Sequence, residues 1–106
     1  MKITLNEIIE VNRQFGGSLI SDSSLSFAEA YGKQNRSIYM QAAVWARAIV
    51  VDHPFSDANK RTALYAIAKH VEVKDPIAMA RVISRIAAKN IIDLKKIVEM
   101  LKYANR

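Results

Sequence analysis

Apolar residues recur along the chain at helical spacing, and nowhere do they alternate for long enough to predict a strand. Ile3, Leu5, Ile8, Ile9 and Val11 lie on or near one stripe, which predicts a helix over residues 3–15 stopped by Gly16-Gly17. From there to Ser37 turn formers dominate, with a short helix expected over Ser24–Tyr31, starting near Asp22 or Ser23. "NRSIYMQAAVWARAIVVDH" follows, helical in pattern but apolar on most sides, which marks a buried helix at the centre of the fold. Pro54 breaks it. A second buried helix resumes near Asn59 and carries Ala63, Leu64, Ala66, Ile67 and Ala68.

After the link "VEVKDP", Asp75-Pro76 is a helix opening, a capping acid followed by proline at the first helical position. Ile77, Ala80, Val82, Ile83, Ile86 and Ala87 continue it, and Asp93 caps a last helix with Leu94, Ile97, Val98 and Leu101 at i, i+3, i+4 and i+7. No repeat or low-complexity tract interrupts the pattern. The expectation is an all-α, compact single-domain helical bundle over residues 1–106.

Composition narrows the class. Of 106 residues, 51% are hydrophobic and 25% charged, the balance of a soluble globule. With no cysteine there is neither a disulfide nor a thiolate metal site, and "MKITLNEIIE" has acids where a signal peptide needs an apolar run. No stretch reaches membrane-spanning length, so no membrane role and a cytoplasmic location are expected. The formal charge of +6 suggests an acidic partner, whether nucleotide, inhibitor or protein. Lys33, Arg36, Arg47, Lys69, Lys74, Arg81, Arg85, Lys89, Lys95 and Lys102 are spread along the chain without interleaved aromatics, however. That pattern favours solvated helix faces over a nucleic-acid surface. Trp45 reads as core, and His70 as a histidine placed at a helix C-terminus.

The chemistry gathers in "VDHPFSDANKRTAL", residues 51–64, between the two most buried helices. Backbone amides near Ala58 to Arg61 open the second of them without intrahelical acceptors, at the positive end of the helix dipole. Lys60 and Arg61 add full charges there and Asn59 a donor, a set that suits a polyphosphate. Asp57 supplies one hard carboxylate, which suffices for Mg²⁺ when substrate phosphates complete the shell. His53 is the one side chain of the turn that takes a proton near neutral pH. Phe55 is expected to point inward and fix the turn. Taken singly, Asp57 reads as an N-cap and His53 as an ordinary core or helix-terminal histidine. Two adjacent cations at a positive helix end change the balance, because they are misplaced unless an anion arrives.

"HPFSDANKR" resembles the signature of the Fic/Doc (Fido) family, and the likeness extends more diffusely over "FGGSLISDSSLSFAEAYG" and "AAVWARAIVVDHPF". The resemblance implies an all-α Fido domain and an Mg²⁺- and ATP-dependent transferase acting on a protein hydroxyl. It makes His53 the general base, Asp57 the Mg²⁺ ligand, and Asn59, Arg61 and the amides from Ala58 through Lys60 the phosphate grip, with Pro54 and Phe55 structural. Three departures bear on the group transferred. Lys60 stands where AMP-transferring members have glycine, Leu64 where they have a second arginine, and Ala58 replaces the usual glycine before the asparagine.

"DANKRTAL" is the pattern of the Doc branch, toxins that move the γ-phosphate of ATP to a threonine of elongation factor Tu. The favoured expectation is a Doc-like kinase; the alternatives are a Fic-type adenylyltransferase and a catalytically idle helical binding module. The family also implies a flap that captures a target segment as an added strand; only residues 16–38 have the position and composition for it. Lys33 and Arg36 are its candidate contacts. No Ser or Thr is followed four residues later by Glu, the pattern of the family's inhibitory helix, so control by a separate antitoxin is the implied arrangement.

Overall fold

A computed structural model describes residues 3–34 and 37–106. Arg36, a candidate flap contact, lies outside them. Among the described residues six helices appear in order: α1 (Leu5–Gln14), α2 (Ser23–Gly32), α3 (Ile38–Val50), α4 (Asn59–His70), α5 (Pro76–Lys89) and α6 (Leu94–Ala104). None is long and apolar enough to cross a membrane, among the described residues.

The starts and stops follow side-chain chemistry. The Thr4 hydroxyl accepts the Glu7 amide and starts α1 two residues later than the periodicity suggested. Gly16, at φ +97°, turns the chain away from its end. Ser37 caps α3, Asp75 caps α5 ahead of Pro76, and Asp93 caps α6, each side chain accepting amides of the first turn. Asn90, left-handed at φ 51°, closes α5.

Helix α3 is the hub. From Gln41 to Val50 all residues but Arg47 are buried, and the helix packs most extensively on α4, then on α6 and α2. Trp45, at 1% exposure, sits in the core as the pattern suggested. The small residues Ala42, Ala43, Ala46, Ala63 and Ala66 let α3 and α4 approach closely. Arg47 reaches out to donate to the Ile92 carbonyl at 3.1 Å, and His70 Nδ1 lies 2.9 Å from the Ala66 carbonyl. Buried Asn105 bonds Tyr39, the Glu72 carbonyl and the Lys74 amide, fastening the end of α6 to the α4–α5 link. The polar turn between α3 and α4 joins the two most extensively packed helices.

Candidate functional site

The α3–α4 turn reverses direction through two non-glycine residues in the left-handed region, His53 (φ 50°) and Ala58 (φ 61°). Pro54 and Phe55 between them point inward, Phe55 to 2% exposure, so His53 on one side and Ser56 and Asp57 on the other are turned to solvent. Two further contacts fix the turn. The Asn59 amide spans it, Oδ1 accepting the Phe55 N–H (3.3 Å) and Nδ2 donating to the Phe55 carbonyl (3.0 Å). Residues 18–21 run alongside as a short antiparallel bridge: Leu19 pairs with Phe55, the Pro54 carbonyl accepts the Ile20 and Ser21 amides, and Ser56 donates its amide to the Ser18 carbonyl.

Helix α4 then begins with no side chain capping it. Its first amides, from Asn59 to Arg61, face outward without intrahelical acceptors at the positive end of the dipole. Asp57, exposed at the turn, accepts the Ala58 N–H on Oδ1 at 2.7 Å. The Arg61 guanidinium lies 5.3 Å from the Phe15 ring centre, which orients it toward the same opening. His53, Ser56, Asp57, Asn59, Lys60 and Arg61 thus share one open cleft of about 490 Å³, with Phe15 and Ala58 completing its wall.

Such a cleft has the chemistry to suit a polyanion. Free amides, an ammonium and a guanidinium converge on it, and its single carboxylate is too little to repel them. The same carboxylate fits Mg²⁺ held jointly with phosphate oxygens. No cluster of three acids or histidines exists among the described residues that would hold a metal without them. His53 in the lining of this cleft is a side chain chemically able to accept a proton from a hydroxyl.

The structure places His53, Asp57, Ala58, Asn59, Lys60 and Arg61 in the lining of one cleft, with Pro54 and Phe55 buried behind them. Asn59 occupies a different place from that of a free donor, because its amide is engaged within the turn and one N–H hydrogen remains. Leu64 lies one turn beyond Arg61 and lines a small neighbouring depression with Ala80, Ile83 and Ser84. The stretch expected to form a flap, residues 16–38, contains α2, and its residues 18–21 are already bonded to the turn.

Four contributors escaped the sequence reading: Asn12, Phe15, Ser18 and Thr62. Asn12 Nδ2 donates to the Asp57 carbonyl (2.8 Å) and to the Thr62 hydroxyl (3.0 Å). Ser18 donates its amide to Ser56 Oγ. The Gly16-Gly17 pair was the available signal, read only as a helix stop. Gly17 also lets α1 meet the turn, since a Cβ there would stand 2.5 Å from the Asp57 carbonyl.

A model of the Fic/DOC family matches residues 18–70, half of the chain, from the paired segment beside the turn to the end of α4. No curated protein and no solved structure matches the chain.

Proposed function

Because this chain belongs to the Fic/DOC family, whose members are protein-modifying transferases, we propose that it moves the γ-phosphate of ATP to a serine or threonine hydroxyl of a protein. One observation carries the reading: a proton acceptor, a carboxylate, two cations and uncapped helix amides face a single cleft. The β- and γ-phosphates lie on the amides of residues 59–61 with Lys60 and Arg61 around them. Asp57 is the residue that would hold Mg²⁺, which would supply neutralisation of the phosphate charge when bound. His53 takes the proton of the target hydroxyl as its oxygen attacks the γ-phosphorus. The new O–P bond forms while the bond to the β–γ bridging oxygen breaks, and ADP departs. Most of the acceleration comes from positioning and charge neutralisation.

Lys60 and Leu64 support phosphate over AMP transfer. Lys60 fills space beside the amides with a cation, and the apolar Leu64 offers the far end of a triphosphate nothing to hold. Both favour a nucleotide lying with its terminal phosphate toward His53. A translation elongation factor is the proposed target and a separate antitoxin the proposed partner, both on the strength of "DANKRTAL".

The test incubates protein, candidate elongation factor and ATP labelled at either the γ or the α phosphate. Label from the γ position alone is expected on the target. Label from the α position alone identifies an adenylyltransferase instead, and no transfer from either overturns the enzymatic reading. His53→Ala is expected to slow transfer by roughly 10²- to 10⁴-fold while Mg-ATP still binds.

A further inference from the structure

Ala58 stands at φ 61°, where glycine is at ease and alanine is not, at the residue that aims the first amides of α4. Two carbonyls flank it. That of Asp57 precedes the residue and that of Ala58 follows, so their directions together set its backbone angles. The Asp57 carbonyl accepts Asn12 Nδ2 at 2.8 Å. The Ala58 carbonyl accepts the Thr62 backbone N–H at 3.0 Å and the Thr62 hydroxyl at 2.8 Å, and that hydroxyl in turn accepts the second Nδ2 hydrogen of Asn12 at 3.0 Å. One amide group on α1 thus grips both peptide planes around the left-handed residue, one directly and one through Thr62.

The grip is rigid. Asn12 is fully buried, and its amide cannot turn over without setting Oδ1 against the Asp57 carbonyl. Among the described residues Oδ1 has no hydrogen-bond partner, and it packs against Gly17, where a Cβ would stand only 2.3 Å from it. A buried acceptor left unpaired is costly, so the site gives up one hydrogen bond to keep both donors on the turn. Asn12 does not line the cleft.

We infer that Asn12 is a positioning residue: through Asp57 and Thr62 it locks Ala58 in the left-handed conformation and so aims the α4 amides that receive the nucleotide phosphates. The last step rests on the function proposed above; the lock itself does not.

Calorimetric binding of Mg-ATP and the NMR Cα and Cβ shifts of Ala58, which follow φ, test the two parts separately. Asn12→Asp removes both donors at constant shape, and Thr62→Val removes only the relay. Asn12→Asp is expected to weaken Mg-ATP by about tenfold or more, the usual size of an outer-shell effect, with Thr62→Val falling between it and the wild type. The Ala58 shifts are expected to move in both. Adding Ala58→Gly to either variant is expected to restore part of the lost affinity, because glycine adopts the angle without the steric cost that the clamp offsets.

A thermal midpoint that falls in both variants while Mg-ATP affinity and the Ala58 shifts stay at wild-type values overturns the inference. So does failure of Ala58→Gly to recover any affinity. If Asn12→Asp does not fold, Thr62→Val carries the same comparison. If the wild type itself binds no Mg-ATP, the proposed function fails, and the Ala58 shifts alone decide whether the lock exists.

Discussion

Ala58 and Gly17 show how single residues shape this site from opposite directions. Alanine at φ 61° carries a steric cost that glycine does not. Ala58→Gly is therefore expected to stabilise the fold by ~1 kcal/mol, read as a higher urea midpoint at unchanged slope. Gly17→Ala is expected to destabilise it by roughly 2 kcal/mol or more, since the new methyl meets Asn12 Oδ1 and the Asp57 carbonyl at 2.3 and 2.5 Å. A wild-type midpoint for Gly17→Ala would mean that the turn yields easily. The cluster of residue types in "HPFSDANKR" was legible in the sequence because its members are adjacent. The left-handed angle was not, because alanine gives no sign of it. Asn12 was invisible too: it acts on Asp57 and Thr62 across 45 and 50 residues, and a polar residue on a helix otherwise reads as solvent-facing.

Among elements, α1 and α4 are joined by more than apolar contact. The Tyr65 hydroxyl donates to Glu7 Oε2 at 2.6 Å, and Lys69 Nζ lies 3.6 Å from the same oxygen. The bond to Glu7, helped by partial burial, raises the Tyr65 pKa above its ordinary 10.0. The folded state therefore holds that proton more tightly than the unfolded chain. The resulting stability is complete below pH 10 and is lost as the pH rises through the folded value. Tyr65→Phe is expected to cost about 0.5–1 kcal/mol at pH 7, the lower half of the usual range because the pair is partly exposed. The gap from wild type should close in alkaline unfolding titrations, and a gap constant past the tyrosine range would contradict the assignment. Element order, caps and the central buried pair were readable from Asp75, Asp93, Pro54 and the apolar run of α3, because local chemistry fixes them. The pairing of residues 18–21 with the turn was not, since an isolated bridge needs neither alternation nor β-branched runs.

For the whole molecule, charge divides unevenly. Residues 76–106 hold Arg81, Arg85, Lys89, Lys95, Lys96, Lys102 and Arg106 against Asp93 and Glu99, a net +5 of the chain's +6. The family match ends before this stretch, at residue 70. The ion pairs among the described residues, Arg13–Glu10 and Lys69–Glu7, lie outside it. Raising NaCl from about 10 to about 150 mM shortens the screening length from roughly 30 to 8 Å and should ease this repulsion. The melting temperature is expected to rise by ~2 °C, and a fall would mean that attraction dominates.

The central claim is that the α3–α4 cleft receives a magnesium-bound nucleoside triphosphate. Titrating ¹⁵N-labelled protein with Mg-ATP tests it most directly. The largest amide shift changes are expected at residues 57–61 and at His53, saturating together. Changes centred elsewhere, or none at millimolar Mg-ATP, would contradict the account.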